Sequence, residues 1–212
     1  EMKNKALGKY LRDVYYIYED EQGNQLFRVV RKQFEHGKKI LQEHCDENGN
    51  WKPGLKGVRR VIYRLPEVIK AVAENQTIFI VEGEKDVETL RSWGLVATTN
   101  PMGAGKWQEE YSKFLKYANV VILPDNDPVG KDHAEDVADK LRHVTYSIKI
   151  VPLPVEKNHE DVTDWAEKYD GTKEKLLELV DSVGEFNPVD KMLVIKLGKK
   201  PEKTIPAYAR LV

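Results

Sequence analysis

Ile78-Phe79-Ile80-Val81-Glu82-Gly83-Glu84-Lys85-Asp86 and, farther along, Val120-Val121-Ile122-Leu123-Pro124-Asp125-Asn126-Asp127 share one design. Each is a short apolar run that ends abruptly in carboxylates. A run of this length without polar alternation reads as a buried strand of a parallel sheet. Ligands of such sheets collect beyond the carboxyl ends of the strands. Glu82, Asp125 and Asp127 are therefore expected in one crevice. Carboxylates held together repel and raise one another's pKa. A divalent cation with oxygen ligands, Mg2+ foremost, relieves that repulsion.

Around these two stretches, strands and helices alternate. The expected order is strand Thr77–Val81, helix Lys85–Ser92, strand Leu95–Thr98, helix Trp107–Lys116 and strand Val120–Leu123. Helix Gly130–Arg142, strand Ser147–Val151 and helices Thr163–Lys168 and Thr172–Val183 complete it. This is the pattern of βαβ units around a parallel sheet. Residues 14–45 read differently, as a β-meander with strands Val14–Tyr18, Gln25–Phe34 and Lys38–His44. Asp46–Gly54 reads as a polar loop around Trp51, Arg59–Arg64 as a further strand, and Pro66–Ala73 as a helix with proline in its first turn. The expected fold class is thus α/β, with a central parallel sheet flanked by helices and a smaller, mostly β, α+β subdomain before it. The expected divisions are 1–75, 76–185 and 186–212, the last holding one strand, Met192–Leu197, and a Lys/Pro-rich tail.

Charge follows the same divisions. Residues 1–75 carry 15 basic against 11 acidic residues, residues 76–185 carry 13 against 22, and residues 186–212 carry 6 against 2. The net charge of -1 over 212 residues hides this segregation. An acidic centre with basic neighbours suits a metal-centred site with an anionic partner. A content of 33% charged residues predicts solubility, and no apolar run reaches the ~18 residues of a membrane span. No secretory leader is expected. Cys45 is the single cysteine, which excludes an internal disulfide and disfavours a thiolate zinc site. Both observations fit a cytoplasmic setting.

Taken singly, each acidic motif has an ordinary reading. Glu84 and Asp86 suit the first turn of a helix. Asp125-Asn126-Asp127-Pro128 suits a turn, and Asp161 or Thr163 an N-cap before Asp164-Trp165. Their succession, each after an apolar strand, is what resembles a known family, the topoisomerase–primase (Toprim) fold. Val81-Glu82-Gly83 and Leu123-Pro124-Asp125-Asn126-Asp127 match its two defining motifs. The lead-in Tyr63–Ala71 and the phrase Gly94–Pro101 resemble primase-like proteins of bacteria, phages and mobile elements. The resemblance covers roughly residues 14–170.

The resemblance implies a DNA primase-like nucleotidyltransferase that makes short primers on single-stranded DNA during replication. Its catalytic residues would be Glu82, Asp125 and Asp127. Its Mg2+ ligands, with Mn2+ as substitute, would be drawn from Glu82, Asp125, Asp127, Asp161 and Asp86. For Glu82, metal ligation and proton transfer both stay open. Asp164 departs from the family spacing by one residue. The implied partners are single-stranded DNA, nucleoside triphosphates and, in a larger assembly, a replicative helicase. A nuclease, a topoisomerase fragment and a non-catalytic nucleic-acid-binding module are the alternatives.

Arg28, Arg31, Lys32, Lys56, Arg59, Arg60 and Arg64 lie among aromatic and β-branched residues and are the expected nucleic-acid contacts. The loop Pro101–Trp107 lacks the full phosphate-loop pattern, because Asn100 and Trp107 stand at its key positions. Its glycines and Lys106 still suit contact with a phosphate. The five histidines show no metal-ligand spacing, and His133 is expected on a helix surface. Tyr10, Tyr15, Tyr16 and Tyr18 read as structural strand residues.

Overall fold

The computed structural model describes residues 7–187. The expected strand Met192–Leu197 and the tail beyond it lie outside these residues. Two four-stranded sheets carry the fold. The first is an antiparallel meander of β1 (Tyr10–Glu19), β2 (Gln25–Phe34), β3 (Gly37–Cys45) and β4 (Trp51–Pro53). Alternation places Tyr16, Tyr18, Phe27 and Val29 on the buried face, which is why this segment pairs as strands.

β4 corrects the expected loop at Asp46–Gly54. Trp51 pairs with Cys45 and Pro53 with Glu43. Proline is tolerated there because β4 is an edge strand. The expected strand Arg59–Arg64 is also corrected. Val61, Ile62 and Tyr63 are buried, yet they join no ladder. The segment lies against the end of the second sheet, where Tyr63 N donates to the Thr99 carbonyl at 2.9 Å and Thr98 Oγ1 donates to the Tyr63 carbonyl at 2.7 Å. Burial made the run apolar, and burial alone does not make a strand. Arg64, at φ 57°, then turns the chain into α1 (Leu65–Ala73).

The second sheet has the order β6-β5-β7-β8, all parallel: β5 (Thr77–Ile80), β6 (Val96–Thr98), β7 (Asn119–Ile122) and β8 (Ser147–Ile150). Its helices are α2 (Glu84–Ser92), α3 (Glu109–Ser112), α4 (Pro128–Leu141), α5 (Val162–Lys168) and α6 (Lys173–Ser182). The expected helix Trp107–Lys116 is shorter than its pattern, passing at Lys113–Leu115 into a 3-10 turn. From β5 the chain moves outward to β6, then returns across β5 to β7. That reversal opens a crevice between the carboxyl ends of β5 and β7. The two strands end in step, with Ile80 opposite Ile122.

One apolar core runs through both sheets. The Tyr18 ring stacks on Phe27 at 4.3 Å and meets Tyr63 at 5.1 Å. Its hydroxyl donates to Glu84 Oε1 at 2.8 Å, joining β1 to the first turn of α2. Among the described residues, no helix is long and apolar enough to cross a membrane.

Candidate active site

Glu82 follows β5 and Asp125 follows β7, so the reversal of strand order sets them at the same crevice. Asp125 feels the charge of Glu82, while the Asp125 backbone amide eases the Glu82 carboxylate. Burial, then Asp127, holds the Glu82 carboxyl above its ordinary range. Burial, then Glu82, pushes Asp125 up to about 8, with Asp86, Asp161 and Asp127 adding to the effect. Glu82 Oε1 is buried and has no hydrogen-bond partner. A buried carboxylate oxygen left unpaired is costly, and natural structures seldom leave one so without a reason.

Asp127 departs from the expected mutual raising of pKa. It is the N-cap of α4, and its Oδ1 accepts from Gly130 N at 2.7 Å. That bond, together with His159 Nδ1 against Oδ2, holds Asp127 below the usual carboxylate range. The motif therefore contains two different acids. Asp125 resists ionisation while Asp127 is fixed as an anion by a helix start and an imidazole.

Two glycines make room for this arrangement. A β-carbon on Gly130 would lie 2.5 Å from Glu82 Oε1 and 2.6 Å from the Asp125 carbonyl oxygen. One on Gly83 would lie 2.9 Å from Asp86 Oδ2. Both approaches are closer than real side chains allow.

Asn126, between the two acids, holds the long β8–α5 connection. Its N–H donates to the Glu160 carbonyl at 2.9 Å and its carbonyl accepts from His159 N at 3.3 Å. Its Nδ2 donates to the Lys157 carbonyl at 3.0 Å. Glu160 is itself buried and accepts from Tyr169 Oη at 2.6 Å, which, with Lys168, lowers its pKa to about 2. This frame is what brings His159, at φ 64°, to Asp127.

Asp86 lies deeper, with the partly buried Asp161 beside it. Asp86 is only 5% exposed and accepts from Thr163 Oγ1 at 2.6 Å. Burial, then Asp161, raises its pKa. Asp161 is the N-cap of α5, with Oδ1 accepting from Asp164 N at 2.7 Å and Oδ2 lying 3.7 Å from Lys85 Nζ. Asp164 completes a capping box and pairs with Lys168 at 2.8 Å, so its carboxylate is already engaged.

Among the described residues, no three acidic, histidine or cysteine side chains are gathered tightly enough to hold a metal ion as they stand. The donor chemistry nonetheless fits a hard cation. The donors are carboxylate oxygens, Glu82 and Asp125 are held above their ordinary range by burial and neighbouring acids, and Glu82 Oε1 lacks a partner.

The basic residues divide into two groups. Arg28 pairs with Glu43 at 2.6 Å and lies over the rings of Tyr15 and Trp51 at 4.5 and 4.1 Å. Lys32 lies 3.5 Å from Asp13, Arg59 binds both oxygens of Glu21, and Arg64 binds Glu88. Among the described residues, Arg31, Lys56, Arg60 and Lys106 pair with no carboxylate. Arg31 Nε is buried without a hydrogen-bond partner. Arg60 and Lys106 line one groove with Trp107 and Tyr111.

His133 corrects its expected surface place. It is 5% exposed, with Nδ1 accepting from Gly105 N at 3.1 Å. Its helix reads as charged because the outward positions dominate the composition. Sequence reasoning missed His159, Thr163, Gly130 and the role of Asn126. Only Gly130 left a signal, a glycine three residues into a helix that starts at the acidic motif.

A family model described as Toprim-like matches residues 79–167. The gene 57 protein of Mycobacterium phage D29 is 33% identical over 92 residues, which is 43% of this chain and 57% of the phage protein. The DNA primase of Staphylococcus epidermidis is 28% identical over 113 residues, 53% of this chain and 18% of that protein. The chain therefore spans less than two thirds of either relative. Among solved structures, a DNA primase domain from Pseudomonas aeruginosa aligns with a TM-score of 0.62 at 17% identity, covering 92% of this chain and 64% of that one. The DnaG primase catalytic domain bound to ssDNA aligns with a TM-score of 0.59 at 20% identity, covering 82% and 53%. The fold is that of primase catalytic cores.

Proposed function

From residues 79–167 as a Toprim-like domain, we propose that this chain is the nucleotidyl-transfer unit of a primase, making short primers on single-stranded DNA with nucleoside triphosphates and Mg2+. The observation that carries the reading is the buried, unpartnered Glu82 Oε1 at the mouth of the β5/β7 crevice, with Asp125 and Asp127 beside it. Mg2+, when bound, would neutralise phosphate charge and favour attack of a hydroxyl on phosphorus.

The protein's own groups divide the work. Asp127, kept anionic by Gly130 N and His159, supplies a standing negative charge. Asp125 and Glu82, both raised, are the carboxyls that would hold the cation, which would favour their ionised forms. Asp86 and Asp161 stand behind them, Asp86 fixed by Thr163 and Asp161 by its cap on α5. Of the basic residues expected at the template, Arg31, Lys56 and Arg60 pair with no carboxylate among the described residues, and a solved primase core with ssDNA supports that partner.

The test incubates the chain with single-stranded template, ribonucleotides and Mg2+ or Mn2+. New oligomers that vanish in Asp125→Asn support the proposal. Shortened template instead points to a nuclease, and binding with neither product to a nucleic-acid-binding module.

A further inference from the structure

The acids of the crevice form a front group, Glu82, Asp125 and Asp127, and a rear group, Asp86 and Asp161. Only the front group is short of partners, at the buried Glu82 Oε1. Among the described residues, no oxygen of Asp86 or Asp161 is buried without one. Asp86 Oδ1 accepts from Thr163 Oγ1 at 2.6 Å. Thr163 spends its single proton there, so it accepts from Thr89 Oγ1 at 2.8 Å. Asp161 Oδ1 accepts from Asp164 N at 2.7 Å, and its Oδ2 lies 3.7 Å from Lys85 Nζ. Asp86 and Asp161 also stand within hydrogen-bonding reach of each other.

Lys85 is out of place by the rules of its own helix. It is the second residue of α2, whose N-cap is Gly83. The N-terminal end of a helix dipole favours acids and disfavours cations. Glu84 and Asp86, on either side, follow that preference. Local structure therefore gives no reason for a lysine here, and the reason lies across the crevice at Asp161. The Lys85 side chain is 32% exposed and that of Asp161 18%, so the two charges meet where water screens them incompletely. Burial, then Asp161, pushes Asp86 up, and Lys85 pulls it back. One ammonium thus serves both rear carboxyls.

We propose that Lys85 is a built-in substitute for a second divalent cation: its ammonium neutralises the Asp86–Asp161 pair, so that the crevice takes a single Mg2+ or Mn2+, at the front group. This rests on the metal-dependent reading of that front group. A second ion at the rear would have to displace Lys85 from Asp161. It would also compete with the Thr163 bond and the α5 cap for the same oxygens.

Bound Mn2+ is counted by electron paramagnetic resonance as the whole chain is titrated to saturation. The parent should bind one ion, and Lys85→Arg, which keeps the charge, should also bind one. Lys85→Met should bind two, and combining it with Asp161→Asn should return the count to one. Lys85→Gln, polar but uncharged, should likewise bind two, which covers a methionine form that fails to fold. Mn2+ should raise the melting temperature of Lys85→Met more than that of the parent, because an added ion replaces the lost charge. A parent that binds two ions or none overturns the proposal, as do uncharged variants that still bind one. Primer synthesis plays no part in this count. A chain that binds one Mn2+ and makes no primers refutes the nucleotidyl-transfer reading and leaves the role of Lys85 standing.

Discussion

Gly130 Cα faces Glu82 Oε1 so closely that a single added methyl group would overlap it, at 2.5 Å. The second acidic motif thus needs a glycine in the helix after it, as much as it needs its two aspartates. Gly130→Ala keeps a good helix former in α4. It should still cost about 1–3 kcal/mol through the forced shift of Glu82 and the Asp125 backbone. Thermal melting and primer synthesis should both fall. An alanine variant as stable and active as the parent would mean that Glu82 is free to move, and the crevice less tightly built than described.

Asp127 carries two jobs that substitution can separate. Asn keeps an oxygen for Gly130 N and so keeps the cap, whereas Ala loses it at a cost of about 1 kcal/mol. Asp127→Asn should leave the melting temperature nearly unchanged while lowering primer synthesis on the order of a hundredfold, the usual scale for one well-placed electrostatic contact. Asp127→Ala should lose both. Equal activity in the parent and Asn forms would remove Asp127 from the catalytic set.

Stability in EDTA should decline as pH rises from 5 to 8. Asp125 has its pKa raised from an ordinary 3.8 to about 8. Between those values the folded chain holds a proton that the unfolded chain has released. Rising pH therefore favours unfolding, until the folded carboxyl also ionises. Glu160 has the opposite sign, being lowered to about 2, and its contribution is lost only in acid, below this window. Asp125→Asn should reduce the decline between pH 5 and 8, leaving the share that Asp86, also raised by burial, contributes, and should leave the acid limb intact. A parent chain whose melting temperature rises across that window would contradict the burial of Asp125.

Salt titration of single-stranded DNA binding distinguishes the two groups of basic residues. Each lost phosphate contact should reduce the logarithmic slope by about 0.7. Lys56→Ala should do so, while Arg59→Ala, already satisfied by Glu21, should change it little. Arg28→Ala should instead lower the melting temperature, because it removes a cation held between Tyr15 and Trp51 and paired with Glu43. An unchanged slope for Lys56→Ala would place the strand elsewhere.

The strands bearing Glu82 and Asp125 were legible because buried parallel strands are continuous apolar runs, and Ile78–Ile80 and Val120–Ile122 are buried throughout. The meander was legible from its alternation. What escaped was set by tertiary contact. Val61–Tyr63 is apolar because it is covered, not because it is paired in a sheet. His159 reaches Asp127 only through the folded course of the 151–161 connection, and no local spacing announces it. The depression of Asp127 was hidden for a similar reason. The motif shows two aspartates, while the difference between them comes from Gly130 and His159.

Asn126 couples the crevice mechanically to the connection after β8. Its bonds to Lys157, His159 and Glu160 make the connection after β8 a second wall, clasped to the very residue that separates the two acids. Anything that draws Asp127 away from His159 removes one rivet from that wall, and the others must then hold it alone. Exchange of the Asn126 and His159 amide protons with solvent should therefore quicken if a cation draws Asp127 away from His159.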